Sequence, residues 1–498
     1  MRQQLRVMLV VVCAVGSVLA GLVSAQSGLG SVTATIVDET GGRLSGATLR
    51  LVEVSTGATR SMDSNEAGLI TLPAVPPGTY TVTITRQDFK THQIDNVTVN
   101  SFQQVSLGQI TLEIAVGATE VTEVSAERPV LDLDSGVRTE TIQSQQVRDM
   151  PLQGRNWSTL LKVIPGSTPT NSEAINGREY SASGYADFRV NGKNPGQTQV
   201  NLDGGSLVDH GSDGKTTVSP SLESIQEVSV LTNNFQAEYG NRGGSVVNIV
   251  TKSGTNSLRG AVFDYLRNES LNATSWENTF LGTPKPRNRF NYFGGNLGGP
   301  IVRNTLFFFY NFENFKQDLP TGTMQGRVPT ELERRGDFSQ TFNADGTRPI
   351  IYMPGTQFSG NPVQFPNNVI PTSMIDPRGQ ALLNTYPLPN NPSDPNNNNY
   401  ILSYDPKFPR RSHTGKVDWN IDEKTQAYVR FTMDDGTQVD RNLGSSGGIL
   451  PAGNIQRPRP DKALAVNGTH TFSNTFVMNA LFGWSSTMSS GCRPMSRA

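Results

Sequence analysis

Two carboxylates in the middle of the chain, Asp203 and Glu227, are the first residues to weigh for chemistry, because paired acids are common acid–base machinery. Neither has a histidine, a metal-ligand set or an activated nucleophile near it in the sequence, so turn capping and sheet-edge pairing account for them better. The run Gly240-Asn241-Arg242-Gly243-Gly244 invites comparison with a phosphate-cradling loop. It lacks the lysine-plus-hydroxyl ending and opens a strand rather than a helix, so that reading fails. The four histidines, His92, His210, His413 and His470, form no HExxH arrangement. The polar cluster at residues 390–399 is too unspecific for a calcium site. The sequence therefore offers no catalytic, cofactor or metal set, and it does not read as an enzyme. One segment does carry binding chemistry: Glu120, Val121, Thr122, Glu123, Val124, Ser125 and Ala126. An extended run with alternating valines can add as a strand to a partner's sheet edge. An ordinary linking strand shows the same pattern.

Composition narrows the class. The 498 residues are 35% hydrophobic and only 17% charged, with a net charge of −1. That balance fits neither a disordered acidic tail nor a nucleic-acid binder. Residues 1–25 read as a secretory signal: Arg2 and Arg6, an apolar core at 7–15, and Val23-Ser24-Ala25 for cleavage. Of the two cysteines, Cys13 falls in that signal and Cys492 remains, so no intramolecular disulfide is expected in the mature chain. No later apolar run is long enough to span a membrane as a helix. Entry into a bilayer would need a closed barrel, where every backbone group is paired.

The elements follow three patterns, and together they predict a mainly β chain. Residues 28–113 carry short alternating strands at 32–37, 47–54, 69–72 and 79–85, with two more between 97 and 112. Turn residues separate them, as in a β-sandwich. Residues 114–136 are a linker that holds the 120–126 segment. Residues 137–256 mix a short helix at 156–164 with strands at 225–231 and 245–251, as an α+β unit. From 257 the runs lengthen, and 426–433 places Ala427, Val429, Phe431 and Met433 on one face. Residues 463–472 and 475–484 read as a hairpin with Phe476, Met478, Ala480, Phe482 and Trp484 aligned. Gly298-Gly299-Pro300 is expected to separate strands at 291–296 and 301–313. Such alternation with aromatic ends suits an outer-membrane barrel, though a soluble sandwich shows it too. Residues 322–409 are a long loop rich in Pro, Asn, Asp and Gly.

Several motifs occur in order. Val190-Asn191-Gly192, Leu202-Asp203-Gly204, Ile225-Gln226-Glu227, Glu238-Tyr239-Gly240 and Thr251-Lys252-Ser253-Gly254-Thr255-Asn256 resemble the plug domain of TonB-dependent outer-membrane receptors, Oar-like ones most closely. Asp38 to Gly41, Ser45-Gly46-Ala47-Thr48 and Pro77-Gly78-Thr79-Tyr80 resemble the carboxypeptidase-regulatory-like domain, which shares a carbohydrate-binding-like fold. The resemblance implies an N-terminal β-sandwich, an α+β plug and the first strands of an incomplete transmembrane β-barrel.

The resemblance also implies an outer-membrane location in a Gram-negative bacterium and uptake of a scarce solute. It makes residues 120–126 the TonB box, the segment that meets the TonB-type energy-coupling protein. The membrane lipid is the second partner. The solute is unknown, with a carbohydrate or a peptide as candidates. Barrels of this class use about 22 strands, and residues 257–498 supply roughly eight. The expectation is a C-terminally truncated fragment. The rival expectation is a non-transporting surface binding or adhesion protein.

Overall fold

The structure is a computed structural model. It describes residues 28–115, 121–125, 138–169, 188–209, 216–235, 243–318, 322–443, 449–473, 476–487 and 493–494, less single positions at 151, 153, 154, 281, 283, 284, 286, 344, 357, 359, 405 and 406. The expected signal and most of the linker lie outside the described residues.

Two sheets face each other at the N-terminus. Strands β1 (Gly30–Asp38), β4 (Leu69–Val75) and β7 (Gln104–Leu112) form one, in the order β4-β1-β7. The other contains β2 (Thr48–Glu53), β3 (Thr59–Asp63), β5 (Gly78–Thr85), β6 (Thr91–Val99) and β8 (Val121–Ser125), in the order β3-β2-β5-β6-β8. Alternation sends Val32, Ile36, Leu49, Leu51, Ile70 and Val82 into one shared core. Asp38 closes the first turn by accepting from the amides of Thr40 (2.9 Å) and Gly42 (2.7 Å). The buried Tyr80 donates its hydroxyl to Pro76 O at 2.7 Å, so its polar end is satisfied inside the core.

The central unit starts with β9 (Arg138–Gln143) and the short helix α1 (Ser144–Asp149). Then come β10 (Ser167–Pro169), β11 (Phe188–Val190), β12 (Thr198–Leu202), β13 (Gly205–Ser206), β14 (Ile225–Asn233) and β15 (Ser245–Thr251). Its five-stranded sheet runs β13-β12-β15-β14-β9, with β12 and β15 parallel. Every residue of β12 is buried, as is nearly all of β14 and β15. Burial on both faces means that this sheet is covered on two sides. Asn191-Gly192 and Asp203-Gly204 both take positive φ, the geometry of tight two-residue turns. The expected helix at 156–164 is present as a tighter 3₁₀ helix, Trp157–Val163, capped by Asn156. Its Trp157, Leu160 and Leu161 are buried, as their spacing requires.

Long antiparallel strands wrap that core. They are β16 (Arg259–Arg267), β17 (Arg289–Val302), β18 (Leu306–Asp318), β21 (Arg410–Asn420), β22 (Thr425–Leu443), β23 (Ile449–Ser473) and β24 (Phe476–Ser486). They pair in that order, and the short β25 (Arg493–Pro494) pairs on β23. A separate two-stranded sheet, β19 (Gly322–Gly326) with β20 (Tyr400–Tyr404), joins the two ends of the long loop. That loop has its own structure. Thr330 and Glu333 cap a helical turn reciprocally, and Arg334 donates to the carbonyls of Tyr386 and Pro387.

Alternation in this wall sheet separates two chemistries. Ser412, Thr414, Lys416, Arg430, Thr432 and Asp434 point inward and are buried, while Val417, Trp419, Val429, Phe431, Phe482 and Trp484 point outward and are exposed. An apolar outer band over a polar interior is the membrane-barrel pattern. One expectation needs correcting. Gly298-Gly299-Pro300 lies inside β17, and the turn is at residues 303–305, with Asn304 at φ 63°. Pairing with β16 ends at Gly298, so Pro300 stands where that edge needs no amide. Pro458 and Pro460 in β23 sit likewise beyond the last rung to β24, at Lys462. These observations yield a prediction. Phe431→Arg should cost about 2–4 kcal/mol in lipid-vesicle unfolding titrations if the outer band meets hydrocarbon. Asp435→Arg, on an exposed position further along β22, should stay within about 0.5 kcal/mol.

Candidate functional site

Lys416 on β21 and Arg430 on β22 are direct register partners across the two strands. Like charges placed opposite each other repel, and here both are buried. Asp418 on the same strand lies 3.7 Å from Lys416 Nζ, and the central unit supplies the carboxylate that both cations share. Asp203, in the turn after β12, lies 3.2 Å from Arg430 Nε and 3.7 Å from Lys416 Nζ. Its carboxylate also accepts from Thr251 N (2.9 Å) and Thr251 Oγ1 (2.8 Å). Main-chain oxygens satisfy the remaining donors. Arg430 Nη2 reaches Leu202 O at 2.9 Å and Arg430 Nη1 reaches Ala463 O at 3.2 Å. Tyr428 donates its hydroxyl to Asp203 O at 2.6 Å. The Asp203-Gly204 turn thus sits in a charged seat on the concave wall.

A second seat has the opposite polarity. Asp434 on β22 and Asp461 on β23 are register partners, again two like charges face to face. Arg410 Nε donates to Asp434 at 2.6 Å, and Arg459 Nε lies 3.3 Å from Asp461. The central unit enters through Ser219. Its amide donates to Asp434 at 3.2 Å, and its carbonyl accepts from Arg410 Nη2 at 2.5 Å. A third contact joins Arg155 and Glu223 at 2.6 Å, with the Arg155 guanidinium 3.8 Å from the Tyr265 ring centre. Wall and central sheet meet through charges and backbone dipoles more than through an apolar seam.

Glu227 has a different role. It accepts the Ser101 amide of the N-terminal sandwich at 2.8 Å. Burial raises its pKa, and the Ser101 and Ser229 hydrogen bonds only partly offset that. Asp203 goes the other way. Burial pushes its pKa up, but Lys416, Arg430 and the two Thr251 hydrogen bonds together outweigh burial, and the net value lies below the usual 3.8.

The remaining sequence candidates disperse. His413 meets Tyr310 on the outer face, His470 meets Thr425, His92 is on β6, and His210 lies outside the described residues. Among the described residues no group of three or more His, Cys, Asp or Glu could hold a metal. Gly244 opens β15 against Gln197, whose carbonyl lies 2.5 Å from where a Cβ would stand. Close chain approach therefore explains that glycine, while 240–242 lie outside the described residues. Val121, Thr122, Glu123, Val124 and Ser125 form β8, in parallel register with residues 91–95 of β6. Glu120 and Ala126 lie outside the described residues. Sequence reading missed Lys416, Arg430, Asp434 and Asp461 as seat residues. Their signal was visible: ionisable side chains on the inward face of strands whose other face is apolar.

An open cradle of long strands, apolar outside and charged inside around a plug-like sheet, defines an outer-membrane barrel protein of the plugged kind. Residues 250–496 match the family described as Outer membrane beta barrel domain, and residues 31–113 match the Carboxypeptidase regulatory-like domain. The chain is a homologue of the TonB-dependent transporter Oar of Myxococcus xanthus, 25% identical over 254 residues. That match covers 48% of this chain and 22% of the relative, so the chain spans well under two thirds of it. Among solved structures, the outer membrane transporter YddB from Escherichia coli overlays at TM-score 0.43 with 11% identity, over 70% of this chain and 39% of that one. The siderophore receptor PirA from Acinetobacter baumannii overlays at 0.35 with 15% identity, over 70% and 47%. The curated relative is a transporter, and the protein is one of the outer membrane of a Gram-negative bacterium.

Two mutations test the seat and the sandwich contact. Asp203→Ala leaves the buried Arg430 without a carboxylate opposite Lys416, whose remaining ion-pair partner is Asp418, and should cost about 3–5 kcal/mol. Because its pKa is lowered, the Asp203 contribution is full above 3.8 and is lost as pH falls through the folded value. Denaturant titrations should accordingly show wild type losing its advantage over Asp203→Ala only in strong acid. Glu227 carries the opposite sign: its contribution is full below the ordinary 4.5 and fades as pH rises through the raised value. Glu227→Gln keeps an acceptor for Ser101 and removes the buried charge. It should equal or exceed wild-type stability at neutral pH and flatten the slope.

Proposed function

We propose that this chain is the plug-bearing part of an energised receptor that draws a scarce solute across the outer membrane. The observation that carries the reading is the charged seat. A sheet meant to stay in place is usually fastened by an apolar seam, which is strong without needing exact partners. Here the fastening uses ion pairs and hydrogen bonds that water can replace, so a displaced sheet would find new partners in a hydrated lumen. Such a contact suits a plug that is held in place and then moved.

The proposal divides the chain at the sequence-derived boundaries. It has a sandwich at 28–113, a linker at 114–136, a plug at 137–256 and barrel strands from 257. The long loop at 322–409 and the short turns at 303–305 and 421–424 lie at opposite ends of the strands. In barrels of this kind long loops face outward and short turns face the periplasm. Solute, with a carbohydrate or a peptide as the candidate classes, meets the long loop first. The seat at Arg410, Asp434 and Ser219 lies at the loop-side end of β21, so loop rearrangement bears on it directly.

Energy then enters from the other side. Residues 120–126 act as the strand that pairs with a TonB-type coupling protein. Supporting this, 121–125 already adopts strand geometry and is the last strand of its sheet among the described residues. Single cysteines at Val121 and Val124 test it. Each should crosslink to the coupling protein's periplasmic domain, more strongly when solute is present. No crosslink at either position removes the coupling reading.

A further inference from the structure

We propose that the N-terminal sandwich is a load-bearing adaptor: traction on β8 reaches the plug through β6 and the loop at 100–103. On this view the residues between β8 and β9 are not the load path. The inference rests on the reading of 121–125 as the partner-binding strand.

The path is continuous in the structure. Five residues of β8 pair with 91–95 of β6, in parallel. β6 ends at Val99, paired with Gly78 of β5, and the loop 100–103 follows directly. That loop is braced from within. Gln103 Oε1 accepts from Asn100 Nδ2 at 2.9 Å, and Gln103 O accepts from Ser31 N at 2.9 Å, tying it to β1. Its tip enters the plug. Ser101 is fully buried, donates its amide to Glu227 of β14, and accepts from Asn248 Nδ2 of β15 at 3.3 Å. Phe102 packs on the cluster of Leu231 and Val246, from the same two strands. It does so with φ at 62°, a left-handed conformation costly for an aromatic residue and one that the surrounding packing must hold.

The sandwich's hold on the barrel wall is looser. Arg60 reaches Thr471 and Ser61 reaches Glu423, each at 3.4 Å, and the second contact is exposed. Asn256, which bonds Thr56 O at 2.7 Å, belongs to the segment leading from the plug into β16. Under load the long contacts to the wall yield first, and the buried contacts to β14 and β15 pass the load on. A strand drawn along its axis loads all its rungs together, so five rungs to β6 hold longer than one frayed end.

Single-molecule pulling on the full chain in a bilayer tests this. A peptide handle is inserted directly after Ser125, and a protease site is placed within residues 129–136. Val247→Cys, at a fully buried position in β15, reports plug opening by thiol labelling. In the adaptor account, cleaved and uncleaved chains both label Val247→Cys under load. Phe102→Ala with Glu227→Ala then removes labelling from the cleaved chain while the sandwich keeps its melting temperature. If cleavage alone abolishes labelling, with the sandwich coming away empty, the load runs through the covalent linker and the proposal is overturned. If the double variant labels as wild type does after cleavage, the 100–103 contact carries nothing and the proposal fails as well. The cysteine crosslinks at Val121 and Val124 report separately on who binds β8. Load transfer without any crosslink would sink the partner reading while leaving the mechanical link between sandwich and plug.

Discussion

Two buried cations facing each other across a β-ladder are the constraint on which the architecture turns. Lys416 and Arg430 occupy a register pair on the inner wall, where repulsion is least screened. The wall's own Asp418 reaches Lys416 at 3.7 Å, while Asp203 is the carboxylate that meets Arg430. Asp203 resolves this from outside the wall, and to do so the plug must present a turn with its carboxylate at one spot. The Asp-Gly pair provides that turn because both residues accept positive φ. The neighbouring seat is balanced within the wall itself: Asp434 faces Asp461, Arg410 and Arg459 of the same wall strands pair with them, and the plug adds only the Ser219 amide and carbonyl. Charge crosses from plug to wall at Asp203, which pairs with Arg430 and Lys416.

Under the proposed function, this arrangement ties fold to function through reversibility. A buried ion pair adds little net stability over an apolar contact of equal size, yet breaking it one-sidedly is expensive. It therefore fixes position strongly without making the plug irremovable, provided both halves are rehydrated together. The apolar content that stabilises the protein lies elsewhere: in the sandwich core, the plug's own core and the outer band. The division of labour follows strand alternation, one face of each wall strand for lipid and the other for the seat.

Much of this was legible in the sequence. The outward aromatic row at Phe476, Met478, Phe482 and Trp484 follows from a period of two and needs no tertiary information. The tight turns at Asn191-Gly192 and Asp203-Gly204 are equally local. What the sequence did not show is register. Nothing local says that residue 416 faces 430, or that 434 faces 461, because register depends on turn lengths and on the whole ladder. Asp203 consequently read as a turn residue, which it is, without its two cations. Gly298-Gly299-Pro300 misled for a related reason: a proline inside a strand is tolerated once the neighbouring strand has ended, and that end is a tertiary fact. The 120–126 segment was recognisable as a strand, but the place of residues 121–125 beside β6 joins elements that the sequence gives no reason to pair.

The central claim is that Asp203 and the Lys416–Arg430 pair are energetically one unit. A double-mutant cycle with Asp203→Asn and Arg430→Met, read by denaturant unfolding of the membrane-inserted chain, measures that directly. The account predicts a coupling of about 1–3 kcal/mol, with the double variant far less damaged than the two single losses would sum to. Losses that add to within about 0.5 kcal/mol would mean that the two residues act independently, and would contradict it.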